Sequence, residues 1–306
     1  MTIVSTIIPI FAIILLGCFA RQRGFLQPDF LQPANRLVYY LAIPAMIFRA
    51  ISRGSLKGQF NGSVLVLTLL AMVLIFFAAW GVCRGWNLPR RQRGTFIQSS
   101  FHGNLGYIGL AVSFYFLGEE GFVRASIIAG FVIILQNFLA VVALQMHAGT
   151  AAVKGSRLVM VWRIMGNPVI LAAVAGISYS ALSLPLPLVV ERSLDILSGL
   201  ALPMALLIIG ASLSFSLMQA RIKPVLVSTT FKLLLQPLCG LGLYRLFGLT
   251  AGEYIPALIL LASPTATLAY VMANEMEGDA DLAVAAISAS TMVSALTFSL
   301  WLSLTG

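Results

Sequence analysis

An internal repeat constrains the fold of this chain more than any other feature of its sequence. Five residues of the first half recur in the second half at one separation of 159 positions (168 − 9 for the first pair), with Pro9, Gly17, Leu41, Ala42 and Pro44 recurring as Pro168, Gly176, Leu200, Ala201 and Pro203. The separation is the same on both sides of the loop that follows the first apolar segment. We therefore expect two copies of one structural unit, joined in tandem.

The composition places both copies in a membrane. Hydrophobic residues make up 59% of the 306 residues and charged residues 9%, with a mean hydropathy of +0.97. So few polar residues cannot cover a water-soluble globule of this size, and we predict an all-α polytopic protein in the lipid bilayer. The net charge of +9 lies in short loops between apolar segments, which indicates membrane topology rather than a nucleic-acid surface.

Ten segments can be drawn that cross about 30 Å of hydrocarbon, at residues 3–20, 34–51, 63–83, 96–118, 122–147, 162–182, 191–215, 224–247, 254–275 and 281–303. They divide into a first five-helix repeat at 1–147, a short cytoplasmic linker at 148–161 and a second five-helix repeat at 162–306. Because five is odd, the second repeat is expected to be inverted relative to the first. Inverted repeats occur in many secondary transporters.

The basic residues predict the orientation of these spans. With the N-terminus outside, twelve of the 19 Lys and Arg residues lie on the cytoplasmic side, six lie on the opposite side, and Lys232 lies within a span. Because cytoplasmic loops carry an excess of Lys and Arg, this distribution favours both termini outside the cytoplasm. The expected location is a bacterial-type cytoplasmic (inner) membrane.

Two predicted spans contain helix-breaking residues at corresponding places. The fourth span carries three glycines within residues 103–109, and each costs about 1 kcal/mol in a helix relative to alanine. The ninth span carries Pro264 within residues 263–267, and proline removes a backbone donor. Each feature alone also suits a kink or close helix packing. Together they predict two broken helices, whose unwound backbone must be satisfied by protein, water or ligand.

Broken helices at mid-membrane would present half-helix N-termini, whose free N–H groups attract anions. We therefore predict a site for a small organic anion at the two breaks. Asn104, Thr265 and Thr267 could donate or accept hydrogen bonds there, and Tyr107 could supply a ring wall and a hydroxyl group.

Two ionisable residues accompany the breaks. Lys232 lies near the middle of the eighth span, where it could neutralise a substrate carboxylate, exchange a proton, or reach an internal acceptor. His102 borders the first break and could transfer a proton or satisfy backbone groups. The coupling ion stays open between H⁺ and Na⁺, because neutral side chains such as Gln98, Gln136 and Asn137 could bind sodium.

The middle parts of the spans contain no Asp or Glu, and the three cysteines lie in separate segments without a zinc-binding spacing. Paired carboxylates, a metal cluster or an activated nucleophile would be needed for hydrolysis. We therefore expect no enzyme activity and no cofactor or metal.

The motifs resemble those of the auxin efflux carrier family, whose bacterial branch includes proposed malonate and malate carriers. The resemblance covers nearly the whole chain and depends on these segments: Asn35-Arg36-Leu37-Val38 with Ile43-Pro44, Gly103-Asn104-Leu105-Gly106-Tyr107-Ile108-Gly109-Leu110, Asn167-Pro168 with Gly176, and Pro203, Leu206, Gly210 and Leu213. The chain has Ala111 where the family commonly has proline after the glycine motif.

The resemblance implies ten helices with spans four and nine broken and crossed. It further implies a scaffold of spans 1, 2, 6 and 7 beside a transport bundle of spans 3–5 and 8–10, in dimeric elevator carriers of organic anions. By position in the motifs, the resemblance makes Asn35 a candidate substrate ligand from the scaffold. It makes Asn104, Gly106 and the segment Pro264, Thr265, Ala266 and Thr267 candidates from the crossover. Asn35 also suits a helix cap.

The leading hypothesis is a secondary active transporter of a small carboxylate, such as a malonate-like or malate-like dicarboxylate, that works by elevator-type alternating access. The alternative is a membrane metabolite sensor or receptor that uses the same pocket without net transport. A passive channel is disfavoured because no span presents a repeated polar face.

Overall fold

The computed structural model describes residues 3–53, 61–147, 166–182 and 186–305, so the predicted linker at 148–161 lies outside the described residues. The described helices are α1 Ile3–Gln22, α2 Pro28–Leu37, α3 Ile43–Arg53, α4 Gly62–Gly85, α5 Arg90–Ser99, α6 Leu110–His147, α7 Pro168–Ala181, α8 Leu188–Ala211, α9 Phe215–Ala220, α10 Ile222–Thr230, α11 Gln236–Leu246, α12 Ala251–Ala262, α13 Leu268–Glu275 and α14 Ala280–Ser303. Three π-helical turns, Val38–Ala42, Leu105–Gly109 and Phe231–Leu235, join neighbouring helices.

The described helices confirm an integral membrane protein of the all-α class. Six helical stretches are long and apolar enough to cross a bilayer, and two shorter apolar helices are α7 and α12. One of the six is a stretch of 43 residues, Leu105–His147. Its helical geometry is interrupted at Gly118, where φ is 71°. The count of ten spans and their inversion stay predictions.

The chain divides into two compact units, and each unit takes segments from both halves of the sequence. Unit 1 comprises Met1–Asn61, Gly106–Phe131 and Met165–Ser212. Unit 2 comprises Gly62–Leu105, Val132–Ile164 and Leu213–Gly306. The assignment of spans 1, 2, 6 and 7 to a stationary scaffold and of spans 3–5 and 8–10 to a moving bundle stays a prediction.

Glycines bring the helices of unit 1 into close contact. A Cβ atom at Gly17 of α1 would overlap the carbonyl oxygen of Leu207 in α8. A Cβ atom at Gly176 of α7 would lie 2.9 Å from the Cβ of Ile51 and 3.4 Å from the carbonyl oxygen of Phe48, both in α3. Gly17 and Gly176 are repeat-related, and Phe48 and Leu207 are separated by the same 159 positions (207 − 48). Helix α1 therefore packs on α8 and helix α7 packs on α3, and these two contacts are related by the repeat.

Helix α14 lies at the centre of unit 2. It contacts α5, α9, α10, α12 and α13, and small residues such as Ala283, Ala285 and Ala286 are fully buried along it. Small side chains allow close approach of neighbouring helices in a membrane protein, where lipid provides no hydrophobic driving force between them. This packing supports the two interrupted segments that follow α5 and α12.

Candidate functional site

The two predicted breaks are interruptions of helical structure, and they pair with each other inside unit 2. Helix α5 ends at Ser99 and helix α12 ends at Ala262, after which the segments meet as an antiparallel bridge between Gly103 and Thr265. The Asn104 N–H donates to the Pro264 carbonyl oxygen at 2.7 Å. The Ala266 N–H donates to the His102 carbonyl oxygen at 2.9 Å. Each segment therefore satisfies backbone groups of the other, as unwound backbone at membrane depth requires.

Side chains form hydrogen bonds with the backbone groups of this bridge that face away from the opposite segment. The Gly103 N–H donates to Gln136 Oε1 at 3.1 Å, and Gln136 Nε2 donates to the Gly103 carbonyl oxygen at 3.2 Å. On the other segment, the Thr265 N–H donates to Ser290 Oγ at 3.0 Å, and Thr265 Oγ1 donates to the Ser99 carbonyl oxygen at 3.1 Å. Hydrogen bonds within unit 2 therefore hold both segments of the bridge.

Lys232 is fully buried in the π-helical turn Phe231–Leu235, and its Nζ donates to the Leu261 carbonyl oxygen at 2.7 Å. Leu261 lies in the last turn of α12, where carbonyl groups lack intrahelical partners and a positive charge is favourable. Of the three roles predicted for Lys232, the structure therefore shows the contact with an internal acceptor. Among the residues that the structure describes, no carboxylate forms an ion pair with Lys232.

His102 is buried beside the bridge and takes part in it through its backbone. Its carbonyl oxygen accepts the Ala266 N–H, and its Nδ1 lies 3.3 Å from Gln98 Nε2. The imidazole is therefore held by Gln98 one helical turn before it. This contact suits the backbone-satisfying role, and a proton-transfer role stays a prediction.

A second polar cluster lies within unit 1. The Tyr107 hydroxyl donates to Asn35 Oδ1 at 2.6 Å. Asn167 Nδ2 donates to the Tyr39 hydroxyl at 2.9 Å, while Asn167 Oδ1 accepts the backbone N–H of Val169 and caps α7. The helix-cap alternative for Asn35 is wrong, because Asn35 lies inside α2, whose N-cap position is Gln27. Asn35 instead fixes the Tyr107 hydroxyl.

The Tyr107–Asn35 hydrogen bond yields a stability prediction. Tyr107→Phe is expected to lower the free energy of unfolding by about 1 kcal/mol, because Asn35 Oδ1 loses its phenolic donor. A double-mutant cycle with Asn35→Ala, followed by chemical or thermal unfolding in detergent, measures the coupling energy. Tyr115→Phe, at a tyrosine of unit 1 that is 41% exposed, is the control. A coupling energy of zero would contradict the hydrogen bond.

The structure distributes the predicted site residues over both units. Those in unit 2 are His102, Asn104, Lys232, Pro264, Thr265, Ala266 and Thr267, and those in unit 1 are Asn35, Gly106 and Tyr107. Thr267 occupies the N-cap position of α13 without a side-chain cap hydrogen bond. Gly106 and Tyr107 lie in the π-helical turn Leu105–Gly109, directly after the interruption.

Sequence reasoning missed several residues that hold these clusters. Ser99 and Ser290 gave no signal, because serine is ordinary in membrane helices. Gln136 was considered only as a sodium ligand, yet both its polar atoms bond the Gly103 backbone. Asn167 followed by Pro168 is a recognisable helix start, and that pair could have predicted the cap.

Comparison with known proteins agrees with the membrane architecture. A family model described as "Membrane transport protein" matches residues 2–302. A Rhizobium meliloti protein named "Putative malonate transporter" is 26% identical over 96% of this chain and 93% of its own length. An "Uncharacterized transporter" of Methanothermobacter thermautotrophicus is 24% identical over 97% of this chain and 96% of its own. "Uncharacterized transporter YfdV" of Escherichia coli is 22% identical over 98% and 96%.

These matches extend over almost the whole chain, and every relative named here is described as a transporter. A transporter agrees with the apolar helices of the structure and with the two interrupted segments that pair with each other. The resemblance found in the sequence motifs is therefore confirmed. The chain belongs to the membrane transport protein family of the auxin efflux carriers, and it is a transporter rather than an enzyme.

Proposed function

We propose that this protein is a secondary active transporter of a small organic anion, a carboxylate of the malonate or malate type. The observation that carries the proposal is the pairing of two helix interruptions beside a buried lysine in unit 2. Buried ionisable groups within membrane spans are costly, and each is by default a candidate for a functional site. We propose an anion because a protonated Lys232 would be a positive charge that no carboxylate of the described residues compensates.

The helix ends at the bridge support anion binding. Helix α13 begins at Leu268, directly after the second interruption, and the π-helical turn Leu105–Gly109 begins directly after the first. The N-terminal end of a helix carries partial positive charge, and N–H groups of its first turn that lack an acceptor can bind an anion. The Asn104 and Leu105 N–H groups are not among these, because they donate to the Pro264 and Gly103 carbonyl oxygens. Asn104 and Thr267 stand at these two starts, and their polar side chains suit hydrogen bonds to a carboxylate.

Lys232 supplies the full charge in this proposal. Its Cε lies 3.2 Å from the position that a Cβ would take at Gly103, so the side chain runs along the bridge. A single neutral acceptor, the Leu261 carbonyl, does not compensate an ammonium ion in a membrane interior. A substrate carboxylate would compensate it, and this favours anions over neutral or cationic substrates.

The substrate class also draws on the Rhizobium meliloti relative, whose name attributes malonate transport to it. A dicarboxylate offers one carboxylate for Lys232 and a second for the helix starts. Asn104, Pro264, Thr265, Ala266 and Thr267 are the proposed binding residues of unit 2, with Lys232 and His102 as charge or coupling residues. Asn35, Gly106 and Tyr107 stay candidate ligands.

We extend the proposal to the mechanism. Spans 1, 2, 6 and 7 form a stationary scaffold, and spans 3–5 and 8–10 form a bundle that carries the crossed breaks across the membrane in a homodimer. The division of the chain into two compact units agrees with this assignment in part. Unit 1 contains nearly all of spans 1, 2, 6 and 7, and unit 2 contains spans 3, 8, 9 and 10, whereas spans 4 and 5 are divided between the units because Gly106–Phe131 belongs to unit 1. We also propose coupling to H⁺ or Na⁺ and a location in a bacterial inner membrane, with both termini outside the cytoplasm.

Counterflow tests the proposed function. Proteoliposomes loaded with unlabelled malonate are expected to accumulate external labelled malonate transiently, at least about tenfold above empty liposomes or liposomes loaded with a neutral sugar. Exchange through an alternating-access site produces such transient accumulation, whereas a sensor binds without translocation. Malonate-dependent thermal stabilisation of the purified protein without counterflow would establish the sensor alternative instead. The absence of both would contradict the proposed substrate class.

A further inference from the structure

The side chain of Gln136 forms a two-armed hydrogen bond with the backbone of one residue at the helix interruption. Its Oε1 accepts from the Gly103 N–H at 3.1 Å, and its Nε2 donates to the Gly103 carbonyl oxygen at 3.2 Å. Gln136 belongs to α6 and is 4% exposed. Both polar atoms of the amide are therefore engaged with the Gly103 backbone, and a sodium-ligand role for Gln136 stays a prediction.

The geometry of the antiparallel bridge explains why Gly103 needs this partner. The bonds between the two segments are made by the flanking residues His102 and Asn104, so the N–H and carbonyl of Gly103 point away from the other segment. An unsatisfied backbone group at this depth costs several kcal/mol. A glutamine amide presents one donor and one acceptor side by side, as a peptide group of a neighbouring strand would.

The same carbonyl connects Gln136 to the start of the next helical turn. The Gly103 oxygen also accepts the Leu105 N–H at 3.0 Å, so one oxygen joins Gln136 to the first residue of the turn Leu105–Gly109. Asn104, the proposed substrate ligand, stands between these two anchored residues. Gly103 has no room for a side chain, since a Cβ there would lie only 2.7 Å from Ser263 Oγ.

We propose that Gln136 is a positioning residue that pairs with the Gly103 backbone as a third strand would. By holding Gly103, it keeps the Asn104 side chain and the helical turn that follows in the geometry that binds substrate. Gln136 does not touch the substrate. The effect on substrate affinity depends on the proposed function, whereas the effect on the Gly103 backbone does not.

Amide hydrogen exchange tests the backbone part directly. In Gln136→Leu, exchange in peptides that cover residues 103–105 is expected to be about tenfold faster than in the wild-type protein, because two backbone hydrogen bonds are lost. The matched control is Gln236→Leu, which changes another buried glutamine of unit 2 that is 1% exposed. Its exchange at residues 103–105 should equal the wild type. Unchanged exchange in Gln136→Leu would overturn the proposal.

Transport kinetics test the positioning part. Gln136→Leu is expected to raise the KM for malonate in counterflow at least about tenfold, with a smaller change in maximal rate, while Gln236→Leu changes KM less than about twofold. A purely structural role would lower the melting temperature and leave the KM of the folded protein unchanged, and that result would also overturn the proposal.

A second variant keeps both parts testable if the leucine variant does not fold. Gln136→Asn retains the amide but is one methylene shorter, so it cannot keep both bonds to Gly103. It is expected to change exchange and KM in the same direction by a smaller factor, and wild-type values would count against the proposal. If the wild-type protein itself transports and binds no malonate, the proposed function fails while the exchange comparison still decides the role of Gln136.

Discussion

Lys232→Gln is expected to lower the affinity for malonate by roughly ten- to a hundredfold while the protein still folds. The ammonium group is fully buried and donates only to the Leu261 carbonyl oxygen among the described contacts. Glutamine keeps a donor that can approach this carbonyl but removes the positive charge. Affinity is measured by the malonate-dependent shift of the melting temperature and by the KM for counterflow.

The chain offers a matched control on the same helical stretch. Lys223 lies at the exposed start of α10, and Lys223→Gln removes the same charge at the membrane boundary. Its malonate affinity is expected to stay within about twofold of the wild type. Equal affinities for Lys232→Gln and the wild type would show that Lys232 only caps α12, and the substrate charge would then need another partner.

Gly210→Leu is expected to prevent correct packing of unit 1. A Cβ atom at Gly210 of α8 would overlap the carbonyl oxygen of Ile14 and lie 2.9 Å from the backbone nitrogen of Cys18, both in α1. These atoms belong to backbone and cannot turn aside as a side chain would. Overpacking typically costs about 1–3 kcal/mol and occasionally more, so we expect the melting temperature in detergent to fall by roughly 6 °C or more, or no monodisperse protein.

The control for this prediction is Gly199→Leu in the same helix. Gly199 is exposed, and a Cβ atom there would meet nothing within 4 Å. Leucine has the higher helix propensity by about 0.8 kcal/mol, so this variant should be at least as stable as the wild type. Equal melting temperatures for the two leucine variants would refute the close contact of α1 and α8.

Much of the local structure was predictable because it depends on neighbouring residues. Apolar composition and segment length indicated membrane helices, and Gly103 and Pro264 marked interruptions that the structure contains. The position of the first interruption was less accurate. Residues 103–109 were predicted to be unwound, but non-helical backbone covers Ser100–Asn104, whereas Leu105–Gly109 forms a π-helical turn. Glycine raises the cost of a helix without determining which hydrogen-bond pattern replaces it.

Residue partners at long sequence separation were not predictable from one sequence. Gln136 was as good a candidate for binding a cation as for bonding Gly103, because an amide side chain suits both. Asn35 suggested a helix cap and instead accepts the Tyr107 hydroxyl. Lys232 suggested three roles, and only the position of the α12 end gave it the Leu261 carbonyl.

Composition, segment length, motifs and helix-breaking residues are properties of short stretches of chain. They were therefore sufficient to predict the membrane environment, the all-helical class, the family and the presence of two helix interruptions. The packing of distant helices was needed to show that the interruptions pair at Gly103 and Thr265, that each compact unit takes segments from both halves, and which side chains satisfy the unwound backbone. Backbone groups in a membrane interior must find hydrogen-bond partners. Which partner lies within hydrogen-bonding distance depends on how distant helices pack.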